Sequence, residues 1–234
     1  MLAIGAIRSI RWRALVYSMP IPITLVIATT TTRVDGSQLL GVLLLNVFVA
    51  VVALLHSRAG WHILLADAGG VAAYLALAWL IAMLPPIPFV PILAAVCLLW
   101  LLAMAVLRPG DETTATTGPP RERLAKVATV AASSLLIVAV GRLINGLVVT
   151  FPYSGVLVVI ETRQHLGDFA RHFALNSSAL IAFFAGYWAL QDRNRLLALG
   201  GAWLAFAVAV TALHLARKAS HRTEKPDSAA LHAL

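Results

Sequence analysis

The chain has 234 residues, of which 60% are hydrophobic and only 12% are charged, and its mean hydropathy is +0.87. Soluble domains carry about 25% charged residues, so this composition excludes water as the main solvent of the protein. The net charge of +8 would favour nucleic acid as a partner of a soluble protein, but here the basic residues lie between apolar segments, and we expect no nucleic-acid binding.

Eight apolar segments follow one another along the chain, each close to the roughly 20 residues that a helix needs to cross the hydrocarbon core. They are residues 13–32, 38–56, 61–84, 88–107, 124–141, 143–162, 171–190 and 196–216. The sequence therefore predicts an all-α fold, a polytopic bundle of about eight transmembrane helices. The first segment follows three arginines as a signal peptide does, but prolines and threonines stand where the cleavage site would be, which favours a retained helix.

A polar segment rich in Thr, Pro and Gly divides these helices into two groups. We predict an N-terminal membrane half at residues 1–107, a flexible cytoplasmic linker at 108–123, a C-terminal membrane half at 124–216 and a disordered polar cytoplasmic tail at 217–234. The single cysteine, Cys97, lies in an apolar run, which predicts neither a disulfide nor a cysteine metal site.

The distribution of Lys and Arg predicts the orientation of the chain. With a cytoplasmic N-terminus and eight spans, 14 of the 18 basic residues fall on the cytoplasmic side, and only Arg33, Arg142, Arg193 and Arg195 fall outside. Cytoplasmic connections of membrane proteins carry an excess of basic residues. We therefore predict a multi-pass protein of the bacterial inner membrane with both termini in the cytoplasm.

An internal repeat is the most informative pattern. The segment from Met19 (MPIPITLVIATTTTRVDG) matches the segment from Phe151 (FPYSGVLVVIETRQHLG), and a Leu-Leu-Ala triplet followed by a glycine pair lies at near-equal distance after each proline. This self-similarity predicts a duplication. Because the copies begin five helices apart, helices 1–3 and 6–8 would have inverted topology, as in many secondary transporters.

The two prolines of the repeat, Pro20 and Pro152, fall near the centres of their predicted spans. Each removes a backbone hydrogen bond and kinks its helix, and paired broken helices indicate a binding site at the repeat interface. The polar residues predicted to line a substrate site with them are Thr24, Asn46, Asp67, Thr150, Tyr153, Ser154 and Asn176. The alternative is that the prolines are ordinary kinks and that the hydroxyl and amide groups join helices.

Two acidic residues occur within or beside the predicted spans. A carboxylate at Asp67 would bind a cation or carry a proton, or else pair at the interface with His62, Arg58 or another cytoplasmic base. Glu161, at the cytoplasmic end of helix 6, is better explained as an interfacial charge. The sequence contains no compact His ligand spacing, no Walker A loop and no GxGxxG or GxSxG motif, so we predict no metal, no cofactor and no enzyme.

The second half of the chain, from about Arg142 to Leu215, resembles the GlpM family of small four-helix bacterial inner-membrane proteins. The matching residues are Gly146-Leu147, Phe151-Pro152, Gly167, Asp168, Phe169 and Arg171 in a polar loop, Phe183-Phe184 to Tyr187, and Arg195-Leu196. Val149 and Tyr153 stand where the family has a proline and a threonine. The resemblance implies an inner-membrane protein without catalytic residues or cofactor, and it does not itself imply transport.

These patterns favour a secondary transporter or exporter of an unidentified small solute, working by alternating access at the paired proline-broken helices. Its expected partners are the lipid bilayer and the solute, and the sequence leaves a homo-oligomer open. The first alternative is a non-catalytic accessory or scaffold protein of an envelope pathway. A lipid-modifying enzyme is a weaker alternative, based on Glu161, His165, Asp168 and His172 in one short cytoplasmic loop.

Overall fold

The computed structural model describes residues 14–15, 18–29, 33–106, 150 and 155–223. These residues form helices and no strand, which confirms the all-α prediction for this part of the chain. The helices are α1 (Ile21–Thr29), α2 (Gly36–Ser57), α3 (Ile63–Ala82), α4 (Phe89–Val106), α5 (Gly155–Glu161), α6 (Leu166–Leu190) and α7 (Arg195–Thr223), and a 3-10 turn at Arg163–His165 precedes α6.

Four of these helices are long and apolar enough to cross a membrane: α2, α3, α6 with its preceding turn, and α7 as far as Ala216. The prediction of a membrane-spanning helical bundle is confirmed at this level, and α4 adds a shorter apolar helix. The predicted linker (108–123), the predicted fifth span (124–141) and most of the sixth (143–162) lie outside the described residues. The count of eight helices therefore stays a prediction.

The first predicted span is broken at Pro20 rather than continuous. Ser18 ends a preceding helical turn, since its N–H donates to Ala14 O (3.0 Å) and its hydroxyl to Leu15 O (2.7 Å). A new helix, α1, begins after the proline, which has no N–H to continue the first. With 9 residues, α1 is about 13 Å long and does not cross the bilayer by itself.

Helix α6 begins earlier than predicted, which corrects the polar loop expected before residue 171. Asp168 and His172 lie on α6, and His165 lies in the 3-10 turn. The helix extends this far because Phe169, His172 and Phe173 share one buried face. The grouping of these residues with Glu161 in one loop, on which the enzyme alternative depended, is therefore wrong.

Helix α7 also differs from the prediction at its end. It continues to Thr223, whereas we predicted a disordered tail from residue 217. The added segment contains Ala, Arg and Lys, which are strong helix formers, so it continues the helix beyond the apolar span.

Helices α2 and α6 form the centre of the described bundle. Helix α2 packs against α3, α4 and α6, and α6 packs in turn against α7. Gly70 allows α3 to approach α2 closely, because a Cβ at this position would lie 2.5 Å from Val52 Cγ2. Large apolar side chains of α3, α4 and α7 point outward, among them Leu80, Leu98 and Leu204. This outer surface matches lipid rather than water.

Three connections meet at one end of the bundle. The Gly36 N–H donates to Ile87 O (3.0 Å), and the Arg33 guanidinium pairs with Asp192 (2.8 Å). Gln191 bonds the backbone of Val34 twice, accepting from its N–H (2.9 Å) and donating to its carbonyl (3.1 Å). The start of α2 therefore lies beside the end of α6, so these two helices are antiparallel, in agreement with the predicted alternation of spans.

Candidate functional site

The centre of the bundle contains a polar contact between α2 and α6, which we call the polar crossing and define as Asn46 and Ser177. Asn46 Nδ2 donates to Ser177 Oγ at 3.2 Å. Asn46 is the eleventh of 22 residues in α2, and Ser177 is the twelfth of 25 in α6. Both residues thus lie at the midpoints of helices that span the membrane. Asn176, the neighbour of Ser177, is buried at the same level.

Hydrogen bonds determine the orientation of the Asn46 amide. Its nitrogen also donates to Val42 O (2.9 Å), a group that accepts hydrogen bonds only, so the amide oxygen cannot take this position. Ser177 donates its own proton to Ala174 O (2.7 Å) and therefore accepts from Asn46. Asn46 Oδ1 is buried and has no hydrogen-bond donor in the described structure. A buried acceptor of this kind costs about 1–3 kcal/mol unless it is satisfied.

Thr24, next to the break at Pro20, contacts helix α7. Its hydroxyl donates to Pro20 O (2.6 Å) and accepts from Trp203 Nε1 (3.1 Å). Arg195 at the start of α7 also donates to Ile27 O. Thr24 thus contacts α7 and the carbonyl of the buried Pro20, whereas the polar crossing joins α2 and α6.

Thr150 occupies a different interface, between α2 and α3. It is buried and shares a hydrogen bond of 3.0 Å with the Tyr74 hydroxyl on α3. It also fills the space above Gly41 on α2, where a Cβ would lie 2.0 Å from Thr150 Oγ1. The neighbouring predicted residues Pro152, Tyr153 and Ser154 lie outside the described residues.

Asp67 is the fifth residue of α3 and its side chain is only 5% exposed. Asp67 Oδ1 has no hydrogen-bond partner, and the described residues include no ion pair to it. The His62 side chain instead accepts from Leu64 N–H (3.4 Å) at the start of the helix. The alternative of an interfacial acid paired with His62 or Arg58 is therefore not supported. The side chain of Glu161 lies outside what the structure describes.

The predicted polar residues thus occupy four places rather than one. Asn46 contacts Ser177, the neighbour of Asn176, while Thr24, Thr150 and Asp67 face different neighbours. Sequence reasoning missed Trp203 and Tyr74, the partners of the two threonines. Tyrosine and tryptophan within an apolar helix each carry one polar group that needs a hydrogen-bond partner. Their presence in the apolar segments could have identified them as partners of the threonines.

Metal binding finds no geometric support in the part of the chain that is described, where no three His, Cys, Asp or Glu side chains are grouped to hold an ion. The chemistry available there is hydrogen bonding at mid-membrane and a buried carboxyl group. Comparison of the chain with known protein families, with curated proteins and with solved structures finds no match. The resemblance to the GlpM family therefore stays a prediction.

Proposed function

We propose that this protein is a secondary transporter or exporter of a small polar solute, with its central site at the polar crossing. The observation that carries the proposal is Asn46 Oδ1, a buried acceptor at the midpoint of a spanning helix, to which no described residue donates a hydrogen bond. Transporter sites lie near the bilayer midplane where two repeats meet. A solute that offers a hydrogen-bond donor would satisfy this oxygen, which defines the chemical class of the cargo.

An inverted repeat of helices 1–3 and 6–8 is part of the proposal, and the polar crossing supports it. The two copies are offset by 132 residues, from Pro20 to Pro152, so the equivalent of Asn46 is Ser178. Ser178 is adjacent to Ser177, the residue that Asn46 contacts. Equivalent positions of two inverted copies meet each other at the two-fold axis, and an antiparallel contact between α2 and α6 at this point is the expected geometry.

Reciprocal packing between the two halves gives independent support. Thr24, from the first span of the first half, bonds Trp203 on the last helix of the second half. Thr150, from the predicted sixth span, bonds Tyr74 on α3 of the first half. Each copy thus contributes its first helix to the third helix of the other copy. Such an exchange lets one half rock against the other around a shared centre.

The break at Pro20 fits the same proposal. Discontinuous helices near the substrate site are common in transporters, because an interrupted helix offers backbone groups and a point of bending. We extend this to Pro152 by the repeat. The bacterial inner membrane as location, with both termini cytoplasmic, follows from the distribution of basic residues and belongs to the proposal as well.

Accessibility of the polar crossing from water tests the proposal without knowledge of the solute. The full chain carries one cysteine, so Cys97→Ser provides a background for Asn46→Cys in proteoliposomes. A membrane-impermeant maleimide is added either outside or inside the vesicles. Alternating access predicts that the new thiol reacts from both sides, because each side of the membrane reaches the centre in turn.

Val47→Cys in the same background is the matched control. Val47 is the next residue on α2 and is 36% exposed on the outer surface, where lipid excludes the reagent. It should react from neither side. Reaction of Asn46→Cys from one side only, or no faster than Val47→Cys, would exclude alternating access. It would favour an accessory protein without a solute pathway.

A further inference from the structure

Asp67 is an acidic group on the buried face of a membrane-spanning helix. It lies about 6 Å along the axis from the start of α3, at 1.5 Å per residue. The buried face on which it lies also carries Gly70 and Tyr74, three and seven residues further on. Gly70 meets Phe48 and Val52 of α2, and Tyr74 meets Thr150. Asp67 is thus directed toward protein rather than lipid.

Among the described residues, no ionisable group near this end of the bundle pairs with Asp67. His56 of α2 has its Nδ1 bound to Trp61 O (2.8 Å), and the His62 ring is used to cap α3. No ion pair joins Asp67 to any described basic side chain. The elements that pack against α3 are α2 and α5, and the other charged groups near this end are Arg58, which follows α2, and Glu161, the last residue of α5. Arg163 and His165 follow in the 3-10 turn, which packs against α6.

An isolated ionised carboxylate is unfavourable in this place, because burial removes its water and no described side chain replaces that water. Two kinds of ligand remove the charge: a metal cation or a proton. Calcium and magnesium ions take about six or more oxygen ligands. The neighbouring buried residues of α3, Ile63, Ala66 and Gly70, offer no side-chain oxygen. A proton requires only the carboxyl group itself.

We propose that Asp67 is a proton-binding site inside the membrane, exchanging its proton with water through the α2–α3 connection. That connection is near, since only four residues separate Asp67 from the exposed residue His62. The carboxyl is protonated while α3 is packed against α2. Release of the proton creates a charge that must be hydrated, so the packing at this end of α3 has to open when the proton leaves.

Coupling between proton release at Asp67 and opening of the packing around α3 gives the proton a function. That function rests on the proposed transport activity. If the solute site at the polar crossing opens toward this end only when Asp67 releases its proton, the proton gradient supplies the driving force. Proton binding at Asp67 does not require the solute and can be measured in its absence.

Infrared spectroscopy of the full chain in lipid vesicles tests the site directly. The C=O stretch of a protonated carboxyl group is separate from the bands of a carboxylate. Wild-type protein at mildly acidic pH should show this band at an intensity close to one carboxyl per chain, and raising the pH through neutrality should remove it. Asp67→Asn should lose the band, while Asp192→Asn should retain it because Asp192 is 70% exposed and paired with Arg33.

Labelling with dicyclohexylcarbodiimide gives a second readout, since this reagent attaches to protonated acids in apolar surroundings. Mass spectrometry should locate the adduct at Asp67, with more labelling at lower pH and none at Asp192. If Asp67→Asn fails to fold, Asp67→Glu and the pH dependence of wild-type labelling decide the question. Absence of the band together with equal labelling of Asp67 and Asp192 would overturn the proposal.

These results are separable from those on transport. Reaction of Asn46→Cys from both sides, together with no infrared band from a protonated Asp67, would support the transporter proposal and refute the proton-binding site. A protonated band at Asp67 without reaction of Asn46→Cys from both sides would support the proton-binding site and refute alternating access.

Discussion

Close contact between α6 and α7 at Gly186 makes a quantitative prediction about stability. A Cβ at this position would lie 2.8 Å from Gly201 O and 2.9 Å from Ala205 Cβ. Both atoms belong to the backbone or are attached directly to it, so Gly186→Ala forces the helices apart. Inserting a methyl group into a well-packed interface costs about 1–3 kcal/mol. Small residues at such positions are the usual means by which membrane helices pack closely.

Gly200→Ala is the matched control, because a Cβ at Gly200 would meet nothing within 4 Å. Both substitutions carry the same intrinsic preference of alanine for helix, about 1 kcal/mol, so the difference between the variants isolates the packing cost. We expect Gly186→Ala to be less stable than Gly200→Ala by about 1–3 kcal/mol in unfolding titrations with denaturing detergent. Equal stability of the two variants would refute the described contact between α6 and α7.

Three further predictions concern the polar contacts and the orientation of the chain. Tyr74→Phe and Thr150→Val should show a coupling free energy of about 0.6 kcal/mol in a double-mutant cycle, because they share one interhelical hydrogen bond. Asn46→Leu should abolish solute uptake into proteoliposomes without lowering the free energy of unfolding, since it removes one such bond and also one unsatisfied oxygen that costs about 1–3 kcal/mol. In a Cys97→Ser background, Arg193→Cys should react with impermeant maleimide in intact cells, whereas Ser57→Cys should react only after the cells are permeabilised.

Each of these predictions can fail in a defined way. Additive effects of Tyr74→Phe and Thr150→Val would show that the two hydroxyls do not interact. Unfolding of Asn46→Leu would assign Asn46 a structural role, and undiminished uptake would remove the polar crossing from the solute pathway. Labelling of both cysteines from one side would contradict the antiparallel alternation of the spans.

The sequence predicted α2, α3 and α7 to within a few residues at their starts, because the thickness of the bilayer sets the length of an apolar run. It failed at the start of α6, where Gly167, Asp168 and Arg171 lower the hydropathy of a helix whose opposite face is buried. Burial of that face depends on neighbouring helices. Hydropathy along one chain therefore cannot detect it.

The polar residues were found but their partners were not. Asn46 and Ser177 are 131 residues apart, and their contact depends on the point at which α2 and α6 cross. Thr24 and Trp203 are 179 residues apart, and the repeat placed Thr24 near Thr150 instead. Sequence patterns identify which side chains need hydrogen bonds within a membrane. The register between distant helices decides where those bonds form.

The two hydrogen bonds between Gln191 and the Val34 backbone hold the start of α2 to the end of α6. A tilt between these helices therefore turns about this end of the bundle. Helix α2 has 22 residues and is about 33 Å long, so a tilt of about 10° would displace its Ser57 end by about 6 Å. In such a tilt, the largest displacement of α2 would occur beside the start of α3, near Asp67.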